Sequence, residues 1–205
     1  MINKIFLRIK NILGDFFFGF VIKNLKGKKK FEFIYKFNYW KGGKSLSKSG
    51  YGSELQNTKQ IIKSLNKFIQ DYNIKTVLDI PCGDFNWFQK MQFNNLNYTG
   101  ADIVSEMIEL NNNKFKKKNI NFTVLDLLND DLGDYDLIFN RDCLIHFNDK
   151  EIFQALRNIS KTKSKYFATT SYLNSKFNNE SKLADNWRPL NLMIDPFKLN
   201  NPIEV

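Results

Sequence analysis

Three acidic residues recur at nearly even spacing: Asp79 in VLDIPCGDFNW, Asp102 in YTGADI and Asp126 in FTVLDLL, 23 and 24 residues apart. Each closes a short apolar run. In a parallel α/β sheet such a residue stands at the carboxyl tip of a strand, on the side where ligands collect. An acid roughly 20 residues past a glycine loop is placed to accept hydrogen bonds from ribose hydroxyls, which marks Asp102. Three such acids in register are a stronger signal than any one of them.

The loop after Asp79 separates the candidate ligands. A dinucleotide lays its pyrophosphate against such a loop and needs glycines so that backbone N–H groups can approach. Here Gly83 is the one glycine, Pro81 has no N–H, Phe85 replaces a third glycine, and Asp84 repels a diphosphate. No GK[ST] follows, so the loop is not of the nucleotide-hydrolase type. S-adenosylmethionine carries no phosphate, and its ammonium and sulfonium groups suit Asp79 and Asp84. The loop favours that cofactor over NAD.

These residues need elements to hold them. Hydrophobic patterning predicts strands at 75–80, 97–102, 120–125, 135–140 and 165–170, with helices at 85–93, 104–117 and 149–160 between them. A further helix starts at Ser53 or the preceding glycine and runs to about Tyr72, with Leu55, Ile61, Ile62, Leu65, Phe68 and Ile69 inward. The alternation implies an α/β fold: a mostly parallel sheet flanked by helices, Rossmann-like. A closing strand pair is not legible; after Thr170 only NLMID reads as a strand, so the sheet lacks its final strand or the sequence is shortened.

The chain resembles the class I, Rossmann-like S-adenosylmethionine-dependent methyltransferases. VLDIPCGDF stands where that superfamily has its first motif, GADIV matches the second, VLDLL the segment beside the adenine, and YDLIFNRDCLIHF the fourth-strand motif. It is similar in particular to a bacterial subgroup with an upstream Ser/Gly segment, DIPCGDFNW, RDCLIHF and a late WRPLNL…DPF. The resemblance runs from about Tyr39 to the C-terminus. It implies Asp79 and Gly83, with Pro81 and Cys82 between them, near the methionine moiety. It further implies Asp102 and Ile103 at the ribose, Asp126 near the adenine amino group, and Leu127 donating from its backbone. Asn140 and Arg141 would line the face where donor meets acceptor, and Trp87 would cover the methionine end of the cofactor or pack in the core.

Methyl transfer is an in-line displacement at an activated carbon, so alignment supplies much of the catalysis. An oxygen acceptor also needs its proton removed. His146, the single histidine, and Asp142 are the candidate bases, and Asp142 or Arg141 would contact substrate. Residues 49–53 are read as a lid over the cofactor or as a plain linker.

The formal charge of +10 is unevenly placed. Residues 1–50 hold 12 Lys and Arg against Asp15 and Glu32, a net of +10. The remainder holds 31 − 12 = 19 basic and 21 − 2 = 19 acidic side chains, a net of zero. The catalytic part is therefore not a basic groove. Residues 1–40 read as a basic amphipathic extension and 41–205 as the methyltransferase domain. The helical stripe over 2–22, followed by lysines up to residue 30, suits peripheral contact with an anionic membrane; it equally suits a cap or a dimer face. Cys82 and Cys143 show no disulfide or zinc spacing, so no metal is expected and a cytoplasmic setting fits. The leading expectation is methyl transfer to a small molecule or a cell-surface glycan precursor. The alternatives are an RNA or DNA methyltransferase tethered by the basic arm, and a non-catalytic cofactor-binding domain.

Overall fold

The computed structural model describes residues 14, 16–41 and 47–204. Five parallel strands form one sheet: β1 Thr76–Asp79, β2 Asn97–Asp102, β3 Ile120–Val124, β4 Leu137–Asn140 and β5 Tyr166–Thr169, in the order β3-β2-β1-β4-β5. The order reverses between β1 and β4, which opens a crevice beyond their carboxyl ends. This is the Rossmann-like arrangement expected, with all five strands within two residues of their predicted bounds. Helices α3 Leu55–Asp71, α4 Ser105–Phe115 and α5 Asp149–Ser160 flank the sheet. Ahead of them come α1 over 16–24 and α2 Gly27–Lys36. Most of the predicted 2–22 helix lies outside the described residues. Among those described, no helix is long and apolar enough to cross a membrane.

Alternation along the strands builds two cores. In β1 and β4, Leu78 and Ile138 join α5 and the 190–197 segment on one face, while Val77, Leu137 and Phe139 join Leu65 of α3 and an aromatic cluster on the other. That cluster centres on Tyr98, Phe85 and Phe88, with ring centroids 4.7–6.2 Å apart. α5 begins with a capping box, Asn148 accepting from the Glu151 N–H and Glu151 accepting from the Asn148 N–H.

Three predicted elements differ. The helix over 85–93 is a turn and a short 3-10 segment, Phe88–Lys90. Phe85 stands at φ 56, and the Gln89 side chain donates to the carbonyls of Phe85 and Asn86 in place of a helical ladder. NLMID is not a strand. Asn191 donates to the carbonyls of Leu173 and Ser175, and Asn178 to those of Asn191 and Asp195, so side-chain amides satisfy this backbone. Leu190 and Leu192 are buried nonetheless, filling the core beside α5. Finally, α3 is capped at Glu54, one residue later than predicted, and its Leu55 is 38% exposed.

Candidate functional site

The crevice between β1 and β4 deepens into a cavity of about 350 Å³. Every residue that the sequence nominates lines it except Asn140. Asn140 is fully buried, donating its amide to the Ile80 carbonyl and accepting from Thr169 Oγ1. It ties β1 to β5 through β4 and never reaches the face where donor and acceptor would meet. That expectation is corrected: Asn140 holds the floor in place.

The acids at the strand tips are not equivalent. Asp79 is almost wholly buried and accepts from the Tyr98 hydroxyl at 2.7 Å. Burial pushes its carboxyl up to about 8, against the pull of that hydrogen bond. Asp102 accepts from the N–H of Val104 at 3.0 Å and of Gly83 at 3.3 Å; burial raises its carboxyl to about 6, opposed by these amides. Asp126 caps its own turn, accepting from the Leu128 N–H and the Asn129 amide. The Leu127 N–H beside it has no partner among the described residues and stands in the cavity wall, available to a ligand acceptor.

The loop itself is saturated. The Ile80 N–H goes to Phe139 O, Cys82 to Ala101 O, Gly83 to Asp102, Asp84 to Ser49 Oγ, Phe85 to Cys82 O and Asn86 to Asp84. Pro81 has none to give. Gly83 stands at φ 57, and a Cβ there would lie 2.3 Å from Ser49 Oγ, so only glycine fits beneath the roof. The Cys82 thiol is pushed well above its ordinary range by burial, and Cys143 likewise, to about 12, so both are neutral wall atoms.

Asp84 does not face a cofactor charge as the sequence suggested. Its carboxylate accepts from Ser47 Oγ at 3.0 Å, the Lys48 N–H at 2.7 Å and Ser49 Oγ at 3.3 Å. Ser47 is fully buried by this clasp. Beyond it, Gly52 O accepts from Arg141 and Ser53 O from Asn86, so residues 49–53 are pinned across the cavity as a roof. Asp84→Ala should release the roof: about 2–3 kcal/mol less stability, and a tryptic cut after Lys48 that the parent chain resists. Unchanged melting and digestion would contradict the clasp.

Opposite the acids lie the candidate acceptor residues. Arg141 pairs with Asp142 at 3.0 Å and sets its guanidinium 5.6 Å from the Trp87 ring centre. Trp87 is buried against Phe88 and Phe139, so it is both core and wall. Asp142 adopts φ 52 and is held by Thr170, donating its N–H to Thr170 Oγ1 and accepting from that hydroxyl. His146 sits in a 3-10 turn, Leu144–His146, with its ring 4.8 Å from that of Trp40. Burial lowers its pKa, with Asp185 acting against that shift. Its Nδ1 lies 3.0 Å from the Asp185 carbonyl, which can only accept, so a neutral ring carries its proton there and leaves the Nε2 lone pair unprotonated.

Residues 77–163 match the protein family described as "Methyltransferase domain", 87 of the 205 residues. The matched stretch runs from β1 to just past α5 and ends before β5. Comparison with curated proteins gives no match. Among solved structures, the chain is similar to an S-adenosylmethionine-dependent methyltransferase from Clostridium acetobutylicum, at 20% identity over 60% of this chain and 58% of that one, TM-score 0.45. It is also similar to magnesium protoporphyrin IX methyltransferase from Synechocystis, at 16% identity over 62% and 60%, TM-score 0.45. A third is the N-methyltransferase NodS from Bradyrhizobium japonicum, at 18% identity over 51% and 55%, TM-score 0.44. The chain thus spans under two thirds of each.

Several walls of the cavity come from outside the matched stretch, and sequence reasoning missed them. Phe31 and Tyr35 of α2 and Trp40 precede it; Tyr172, Asp185 and Trp187 follow it. Asp185 takes the Trp40 indole N–H at 2.8 Å, which joins the two flanks over His146. Arg188, buried and paired with Asp149, fastens the later flank to α5. No local spacing marks Asp185, which works through Trp40, 145 positions away, and through His146, 39 away.

Proposed function

We propose that the chain is an S-adenosylmethionine-dependent methyltransferase acting on a small molecule or a cell-surface glycan precursor. The carrying observation is the saturated loop: every N–H from Ile80 to Asn86 is already bonded within the protein, so no amide cradle remains for a pyrophosphate. Around that loop the cavity presents Asp79, Asp102, Asp126, Asp142 and Asp185 against Lys48 and Arg141, a lining suited to a cationic nucleoside.

When bound, the cofactor supplies a methyl carbon activated by its sulfonium. The chain's own residues do the rest. Asp102 accepts from ribose hydroxyls through the lone pairs left after its two amide contacts, and Asp79 ionises to meet the positive charge. The Leu127 N–H reads an acceptor on the base. On the acceptor side His146 Nε2 takes a proton, while Asp142, Arg141 and Tyr172 orient a hydroxyl or amine. The enclosed, aromatic-walled space favours a small acceptor over a polymer groove.

Calorimetry with S-adenosylhomocysteine tests the donor half. Asp102→Ala should weaken binding by about 1.5–3 kcal/mol, the scale of a charged hydrogen bond. Binding of NAD without binding of S-adenosylhomocysteine would refute the reading. Mass spectrometry of candidate saccharides after incubation with the cofactor tests the acceptor half, a gain of one CH₂ being the expected product.

A further inference from the structure

α1 is apolar on both sides, and packing among the described residues accounts for only one of them. Its inner side is docked: Ile22 is wholly buried, Phe18 lies 5.8 and 5.2 Å from the rings of Phe33 and Phe37, and Gly19 backs onto Ala184. At 100° per residue, Phe16, Phe17 and Phe20 fall on the opposite side. They are 76%, 60% and 63% exposed. A lone exposed phenylalanine is ordinary; three on one helical face mark a contact surface.

The charge around that face says what contacts it. Residues 16–41 hold seven lysines and one acid, Glu32, which already pairs with Lys28. Lys23 lies exposed on α1 itself, and Lys26, Lys29 and Lys36 of the following stretch are exposed as well. A second copy would bring the same positive charge against itself, which disfavours self-association. A partner must be apolar at its surface layer and negative just above it. We propose that α1 docks on an anionic lipid bilayer, with Phe16, Phe17 and Phe20 seated at the boundary of headgroups and acyl chains and the lysines on lipid phosphates. The docking also has a direction. α2 contacts α1 through Phe33 and Phe37 and the cavity through Phe31 and Tyr35, so the cavity lies one helix away from the lipid.

The test is co-sedimentation of the full chain with vesicles of phosphatidylcholine, alone or mixed with phosphatidylglycerol. Binding should require the anionic lipid. Phe16→Ser, Phe17→Ser and Phe20→Ser together should weaken it roughly 100-fold. Lys23→Gln, Lys26→Gln and Lys29→Gln together should weaken it roughly 10-fold or more. Circular dichroism melting should show both variants folded, as substitutions at exposed sites. No binding to anionic vesicles, or binding indifferent to both sets, overturns the proposal. So does a stable dimer that the phenylalanine variant dissociates, or retention on nucleic acid without retention on vesicles.

Discussion

Asparagine in place of Asp79 is expected to make the empty protein harder to melt and to remove its affinity for S-adenosylhomocysteine. Burial holds this carboxyl at about 8 in the folded chain, against 3.8 when free. Between those values the folded state keeps a proton that the unfolded chain releases, so the residue erodes stability as pH rises through that window. At neutral pH the full linkage would be roughly 4 kcal/mol. Asparagine has no charge to bury and its carbonyl still accepts from Tyr98. A gain of about 1–3 kcal/mol is therefore expected, growing toward pH 8. Ligand binding shows the opposite effect. A cation in the cavity must draw the proton off Asp79, so the parent chain should bind more tightly as pH climbs to about 8 and should release a proton on binding. Calorimetry in buffers of different ionisation heat reads that proton directly. An Asp79→Asn chain that melts lower, or that binds as tightly as the parent, would remove this residue from the site.

His146 is expected to have the largest effect on turnover. Loss of a positioned base costs on the order of 10²–10⁴ in rate, so His146→Ala should reduce methyl transfer by that factor while cofactor affinity holds. His146→Asn is the informative comparator. Its amide can still donate toward the Asp185 carbonyl, keeping the turn and the contact with Trp40, yet it has no basic lone pair. Activity close to the parent in His146→Asn would make the residue a strut. The pH profile gives a second reading. Burial lowers the ring's pKa, so the acid limb of the rate should fall below pH 6.5. Because the chain has one histidine, its ring protons in an NMR titration are free of overlap, and their midpoint should coincide with that limb.

The strand tips along the cavity were legible because their signals are local. Asp79, Asp102 and Asp126 each end an apolar run, and short hydrophobic runs placed all five strands. The helix over 149–160 was legible in the same way, from its hydrophobic patterning. The failures share a cause: side chains doing the work of backbone. Gln89 and Asn191 satisfy carbonyls that a helix and a strand would otherwise need. The partnership of Asp84 with Ser47 and Ser49 spans 35 to 37 positions, and that of Asp185 with Trp40 spans 145. A linear reading assigned Asp84 to the ligand because an unpaired acid in a loop and a clasped one have the same letter.

The division of the cavity wall has an evolutionary corollary. The donor-facing tips belong to the central stretch, whereas Phe31, Trp40, Ser49, Tyr172, Asp185 and Trp187 come from the flanks on either side. Tyr172 and Trp187 are exposed and can change while Leu190 and Leu192 of the same flank stay fixed in the core. On the proposed reading, acceptor preference would follow such exposed wall residues, and two proteins sharing the middle need not modify the same compound.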